Sequence, residues 1–201
     1  GGTLSEFTTR SKSELARLIS IQVDLEFVVS STQILIEQLK HPDHDKIIVK
    51  SLYTTAVIVY CRCFSTGKRS PLTTETFSDL PPDALKAHNY FKSMRDKHIA
   101  HSVNRFEDVK VGVALNPAEL GPPGIIGLGY YKVSRYADGA DTIQILWQLA
   151  LHALSAIEVQ GRILYNQVLE ETRELDLSEL YRNGSSSYTA PGMDDASKPR
   201  T

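Results

Sequence analysis

The chain has 201 residues, the length of one domain or of one domain with tails, and is long enough to bury a core. Hydrophobic content of 41% with 23% charged residues is ordinary for a soluble globular protein. The formal net charge of −2 excludes a generally basic nucleic-acid coat but leaves room for a local basic site.

From about Ser11 to Lys40, Leu18, Ile21, Leu25, Val28, Leu35 and Leu39 recur at spacings of three and four, with Thr32 filling the one gap. This predicts a long amphipathic helix packed lengthwise on its neighbours. His41-Pro42-Asp43 stops it, because proline cannot continue the hydrogen-bond ladder. Asp43 or Asp45 is placed to cap a second helix running to about Phe64, with Ile48, Leu52, Ala56, Val59 and Cys63 on one face. Cys61 and Cys63 are the only cysteines. A helix points i and i+2 in different directions, so they are expected as reduced thiols in or near the core, in a cytoplasmic protein. No basic segment followed by an apolar one opens the chain, so no secretory leader is expected. The longest uninterrupted apolar run, near Ala56 to Tyr60, falls far short of the roughly 20 residues that a bilayer requires.

A basic turn, Ser65 to Pro71, and a polar loop to Pro82 follow. Lys68-Arg69 beside Gly67 suits either a phosphate or plain solvent, but the stretch lacks the full phosphate-loop pattern. Asp83 opens a third helix with Ala84, Ala87, Phe91 and Met94 inward, expected to end between His101 and Asn104. The periodicity then changes to two. Val109, Val111, Val113 and Leu115 alternate with polar or small residues, and Ile125 to Val133 gives a second strand-like run. Two strands alone are marginal, so this hairpin is expected to lean on the helices. Asp138 or Asp141 caps a fourth helix running to about Leu175, seamed by Ile143, Trp147, Ala150, Leu154, Ile157, Gly161, Leu164 and Val168. Its Ala150, Ala153, Ala156 and Gly161 would let another helix approach closely. Residues 1–180 read as one helical domain, and residues 181–201 as a flexible tail rich in Gly, Ser and Pro.

Most of the chain's chemistry is concentrated at the end of the third helix. Arg95, Asp96, Lys97, His98 and His101 fall within seven residues, and His88 lies just upstream. Imidazoles beside a permanent guanidinium suit proton transfer near an anion. From Tyr60 to Arg105 there are eight Lys/Arg against four Asp/Glu, so positive field gathers there in a chain that is negative overall. At about 100° per residue, Arg95 and His101 project about 120° apart on an ideal helix, so one subunit does not complete a compact pair. Arg95, His98 and Ser102 share a stripe instead, with His88 nearly on the same line.

A helical bundle with arginine, a polar residue and then histidine at one helix end resembles the HEPN superfamily, whose signature is Arg, four to six residues, then His. Here that is Arg95-Asp96-Lys97-His98-Ile99-Ala100-His101. The run with Ser102 looks most like the HEPN proteins of bacterial abortive-infection systems, and the likeness covers roughly residues 11 to 175. The periodicities read as a four-helix bundle with a β-hairpin inserted between the third and fourth helices, and the resemblance makes it an all-α, HEPN-like one. The resemblance also implies a homodimer with a composite, metal-independent and cofactor-free endoribonuclease site. In that site His101 is general base or acid, Arg95 contacts the phosphate, and Asp96 orients an imidazole or holds Arg95. Lys68, Arg69, Lys97, His98 and His88 help to bind the substrate. The family pattern selects His101 as the catalytic histidine, while the helical stripe selects His98. The implied partners are RNA and a second copy of the chain, with room for a cognate antitoxin and no membrane. Where nucleotidyltransferase-paired HEPN toxins carry a modified tyrosine this chain has Val103, so that mode of control is not expected. The alternative function is a non-catalytic, HEPN-like dimeric module that binds nucleotide or RNA, or serves as a scaffold.

Overall fold

A computed structural model describes residues 4–67, 69–99, 107–117, 119, 121–134, 137–185 and 192. The order is β1 (Leu4–Ser5), α1 (Lys12–Gln38), α2 (Lys46–Cys63), a 3₁₀ turn (Thr74–Phe77), α3 (Pro82–Met94), a π-helical turn (Arg95–Ile99), β2 (Glu107–Leu115), β3 (Ile125–Ser134), α4 (Ala140–Thr172), α5 (Leu177–Asn183) and β4 (Gly184–Ser185). The protein is thus mostly helical with a small antiparallel hairpin, β2–β3, and is compatible with a helical bundle that carries a hairpin. The chain divides into two compact units, Gly1–Ala16 with Gly161–Thr201, and Arg17–Gln160.

In the unit Arg17–Gln160 the predicted seam of α1 is the buried one. Leu18, Ile21, Leu25, Val28, Thr32 and Leu35 all lie inside, and the Thr32 hydroxyl donates to the Val28 carbonyl at 2.7 Å. Asp45 is the cap of α2, its Oδ1 accepting from the Ile47 and Ile48 amides at 2.7 and 3.2 Å. The face of α2 is rotated from the predicted one. Val49, Tyr53, Val57 and Tyr60 are buried with Ala56, Val59 and Cys63, whereas Ile48 is exposed. Buried Ile143, Leu146, Leu149, Ala150, Ala153, Leu154 and Ile157 of α4 complete this core. Ala150 and Ala153 are therefore consumed within the chain, and a Cβ added at Gly161 would meet nothing within 4 Å.

One further expectation is refined and one needs correction. After Met94 the third helix passes into π geometry as far as Ile99, and its expected end, between His101 and Asn104, lies outside the described residues. The hairpin does not lean on the helices: Val109, Val111, Val113, Leu115, Leu128, Tyr130 and Tyr131 are all exposed. By length and mean hydropathy (1.3 and 1.2), α1 and α4 are long and apolar enough to cross a membrane, although no single apolar run is. Over a third of the α1 window and a third of the α4 window are buried inside the protein.

In the other unit, β1 pairs antiparallel with β4, matching Leu4 with Ser185 and Ser5 with Gly184. Asp176 caps α5 by accepting from the Ser178 amide at 2.8 Å. Regular structure therefore continues past residue 180, where the flexible tail was expected to begin. Glu171 accepts from the Ser11 amide at 3.1 Å and the Ser11 hydroxyl at 2.7 Å. Those bonds hold the Glu171 carboxyl down at about 2.

Candidate functional site

The site is assembled where α2 ends. The Phe64 amide and the Ser65 hydroxyl both donate to the Cys61 carbonyl, at 3.1 and 2.7 Å, using an orphan acceptor of the last helical turn. The chain then loops out and returns through the Leu72 amide, which bonds the Cys63 carbonyl at 2.8 Å. Arg69 on this loop reaches α1, donating to Ser20 Oγ and Asp24 Oδ2, each at 2.8 Å. Arg62 clamps the same Asp24 carboxylate through Nε at 3.1 Å and through Nη2. Arg17 adds a bond to the Ser70 carbonyl at 3.1 Å.

Two guanidinium groups thus share one carboxylate, leaving the cluster net positive. The Arg69 side chain is only 18% exposed and its fork is engaged on α1, whereas that of Arg62 is 57% exposed. Arg69, expected to bind substrate, is here a structural strut, and Arg62 is the more accessible cation. The signal for this network was Asp24, a carboxylate on the apolar stripe of α1 between Ile21 and Leu25. A charge so placed requires a cation to meet it.

Arg95 opens the π-helical turn. Such turns make i→i+5 bonds and recur at functional positions. Its Nη2 donates to Ser65 Oγ at 2.9 Å, joining the turn to the end of α2. Asp96 Oδ1 lies 2.9 Å from Arg95 Nε but out of line with its N–H, so the contact is one of charge and Nε keeps no hydrogen-bond acceptor. The Arg95 side chain is one-third exposed. Asp96 and Lys97 are exposed. The π turn also removes the α-helical register on which the Arg95–His98–Ser102 stripe rested. Lys68, His101 and Ser102, and the side chain of His98, lie outside the described residues.

His88 is not at this surface. Its ring is fully buried among Tyr60, Phe64 and Phe77, with centroids 5.7, 4.7 and 5.3 Å away, and Nδ1 is 2.9 Å from the Tyr60 hydroxyl. Burial, with Lys92 adding to it, lowers its pKa to about 4. A neutral imidazole enclosed by aromatic rings binds no phosphate, so its expected substrate role is corrected to a core one. Burial pushes the Cys61 and Cys63 thiols up to about 12, with Arg95 opposing the shift at Cys61. Both are therefore protonated and unsuited to nucleophilic chemistry.

Among the described residues, two cavities lie elsewhere in this unit. A groove of about 680 Å³ runs along Ala84, Ala87, Ile145 and Leu149, and a cleft of about 490 Å³ is lined by Glu75, Asp79 and His152. His152 is satisfied structurally, its Nε2 lying 2.9 Å from the Thr76 carbonyl and 3.1 Å from Asp79. Neither cavity contains a residue of the Arg95 motif. Comparison with family models, curated proteins and solved structures returns no match.

Proposed function

We propose that this chain is a metal-independent endoribonuclease of the HEPN type, a homodimer with a composite Arg/His site, serving a bacterial abortive-infection or toxin–antitoxin defence system in the cytoplasm. The observation that supports this most is the setting of Arg95. The arginine of the Arg-x₅-His motif opens a π turn beside a net-positive loop, partly buried and paired with Asp96. RNA supplies its own nucleophile. The 2′-hydroxyl attacks phosphorus, the bond to the 5′ oxygen breaks, and a 2′,3′-cyclic phosphate remains. His101 takes or returns the proton, Arg95 offers its fork to the phosphate oxygens, and Asp96 holds the guanidinium.

One observation favours the second reading, a non-catalytic dimeric module that binds nucleotide or RNA or acts as a scaffold. Arg62, Arg69 and Arg95 each bond within the chain, as a purely structural network would. Purified protein with total RNA and EDTA separates the two. Cleavage should occur in wild type, vanish in His101→Ala, and fall about 100-fold in Arg95→Lys, the usual loss for one donor to developing charge. Ser65→Ala, which removes a structural partner of Arg95 together with the bond to the Cys61 carbonyl, should retain activity. Absent cleavage, or cleavage surviving both Arg95→Lys and His101→Ala, refutes the enzymatic reading.

A further inference from the structure

We infer that one face of the β2–β3 hairpin is the surface on which a second copy of this chain docks. Residues directly opposed in an antiparallel ribbon share a face, and the register pairs Val109 with Lys132, Val111 with Tyr130, and Val113 with Leu128. That face is therefore apolar along nearly its whole length, with Lys132 only at its open end. The other face pairs Gly112 with Gly129, Ala114 with Gly127, and Lys110 with Tyr131, and is thin and glycine-lined. The ribbon is amphipathic, yet both of its faces stand in solvent.

Val109, Val111, Val113, Leu115, Leu128 and Tyr130 are 57–78% exposed. Together they present on the order of 800 Å², more than the largest apolar patch of a typical monomer and about what one partner contributes to a stable interface. A two-stranded ribbon is marginal alone, so a layer over this face would stabilise it.

The chemistry of the face selects the occupant. It carries no cation beyond Lys132, which argues against a phosphate backbone. The connecting loop from Asn116 to Gly124 contains Glu119 and no basic or aromatic residue, which argues against insertion into lipid. A second copy fits by shape. A twofold axis along the ribbon sets the slim valine row of β2 over the partner's Leu128 and the partner's Tyr130, large against small, and makes the reverse contact identical. Two such ribbons stack as a four-stranded sandwich with a dry centre. This interface shares the homodimer with the ribonuclease reading. A monomeric wild type would fail both, whereas hairpin variants that stay dimeric would fail this interface alone.

The test is light scattering of the full chain at tens of micromolar, with far-UV circular dichroism, for wild type, Val111→Asp, Leu128→Asp and Val23→Asp. Val23 is a control on α1, equally exposed at 58%. The expected result is twice the chain mass for wild type and Val23→Asp, and one chain mass for both hairpin variants, all with the same helical signal. A monomeric wild type, or hairpin variants that remain dimeric, overturns the inference. So does dissociation by Val23→Asp. Hairpin variants that lose helical signal would mean that the face is packed within the chain, and that also refutes it. Co-flotation of wild type with phosphatidylcholine–phosphatidylglycerol vesicles would assign the face to lipid instead.

Discussion

Acidification should destabilise this protein through one residue, His88. Its imidazole is enclosed by Tyr60, Phe64 and Phe77, with a pKa of about 4 against 6.5 for an unperturbed histidine. Because the folded-state value is depressed, the unfolded chain takes up the proton first. Stability is then complete above about pH 6.5, falls as pH drops through the interval, and levels off below about pH 4. At 1.36 kcal/mol per pH unit, that interval sets a loss of about 3 kcal/mol. This is a large part of the total for a domain of ordinary stability. Urea unfolding of wild type and His88→Phe at several pH values between 7 and 4 isolates the contribution, since other carboxyl and imidazole effects are common to both. The wild-type curve should fall by about 3 kcal/mol more than the variant's. The His88 ring protons, followed by NMR, should stay in the neutral position down to about pH 5. Parallel curves, or a ring that titrates near 6.5, would refute the buried placement and restore His88 as a candidate surface group.

The carboxylate of Asp138 is buried and accepts from the Tyr53 hydroxyl at 2.5 Å and from that of Tyr90 at 2.8 Å, just ahead of α4. Asp138→Ala leaves both phenols without this partner and should cost about 3 kcal/mol, measured by chemical denaturation. In the other unit, Glu171 titrates at about 2 because Ser11 bonds its charged form. Its contribution is present above about pH 4.5 and is lost as pH falls toward 2. The protection of the Leu15 amide, which bonds the Ser11 carbonyl, relative to its intrinsic exchange rate should fall over that range in wild type and be low throughout in Glu171→Gln.

The helical elements were legible because their signals are local. The seam of α1, the Asp45 cap and the change of period at the hairpin follow from side-chain spacing and from backbone groups within four residues. Placement of the histidines was not legible. Periodicity says which residues share a stripe, but not whether the stripe faces solvent or core, and His88 aligned with Arg95 while pointing among aromatic rings. Phe77 sits in a stretch that reads as a polar loop, yet it is buried and closes one side of that cage. The hairpin's period of two was visible, but its packing partner was not, because alternation marks an apolar face without saying which molecule covers it.

The arginines differ in what a ligand would have to displace. Arg69 is held by the Asp24 carboxylate and is largely covered, so a phosphate would have to outbid a charge already in place. Arg95 is paired instead with the more exposed Asp96 carboxylate at 2.9 Å, and the partner of its Nη2 is a neutral hydroxyl, Ser65. A hydrogen bond to an anion is roughly twice as strong as one between neutral groups, so an arriving phosphate can replace Ser65 with a net gain. Arg62 shares Asp24 with Arg69 but is more than half exposed, which leaves its outward side open to a ligand. If a phosphate binds here, it would displace least at Arg95 and most at Arg69. Sequence alone named both of these residues and did not name Arg62.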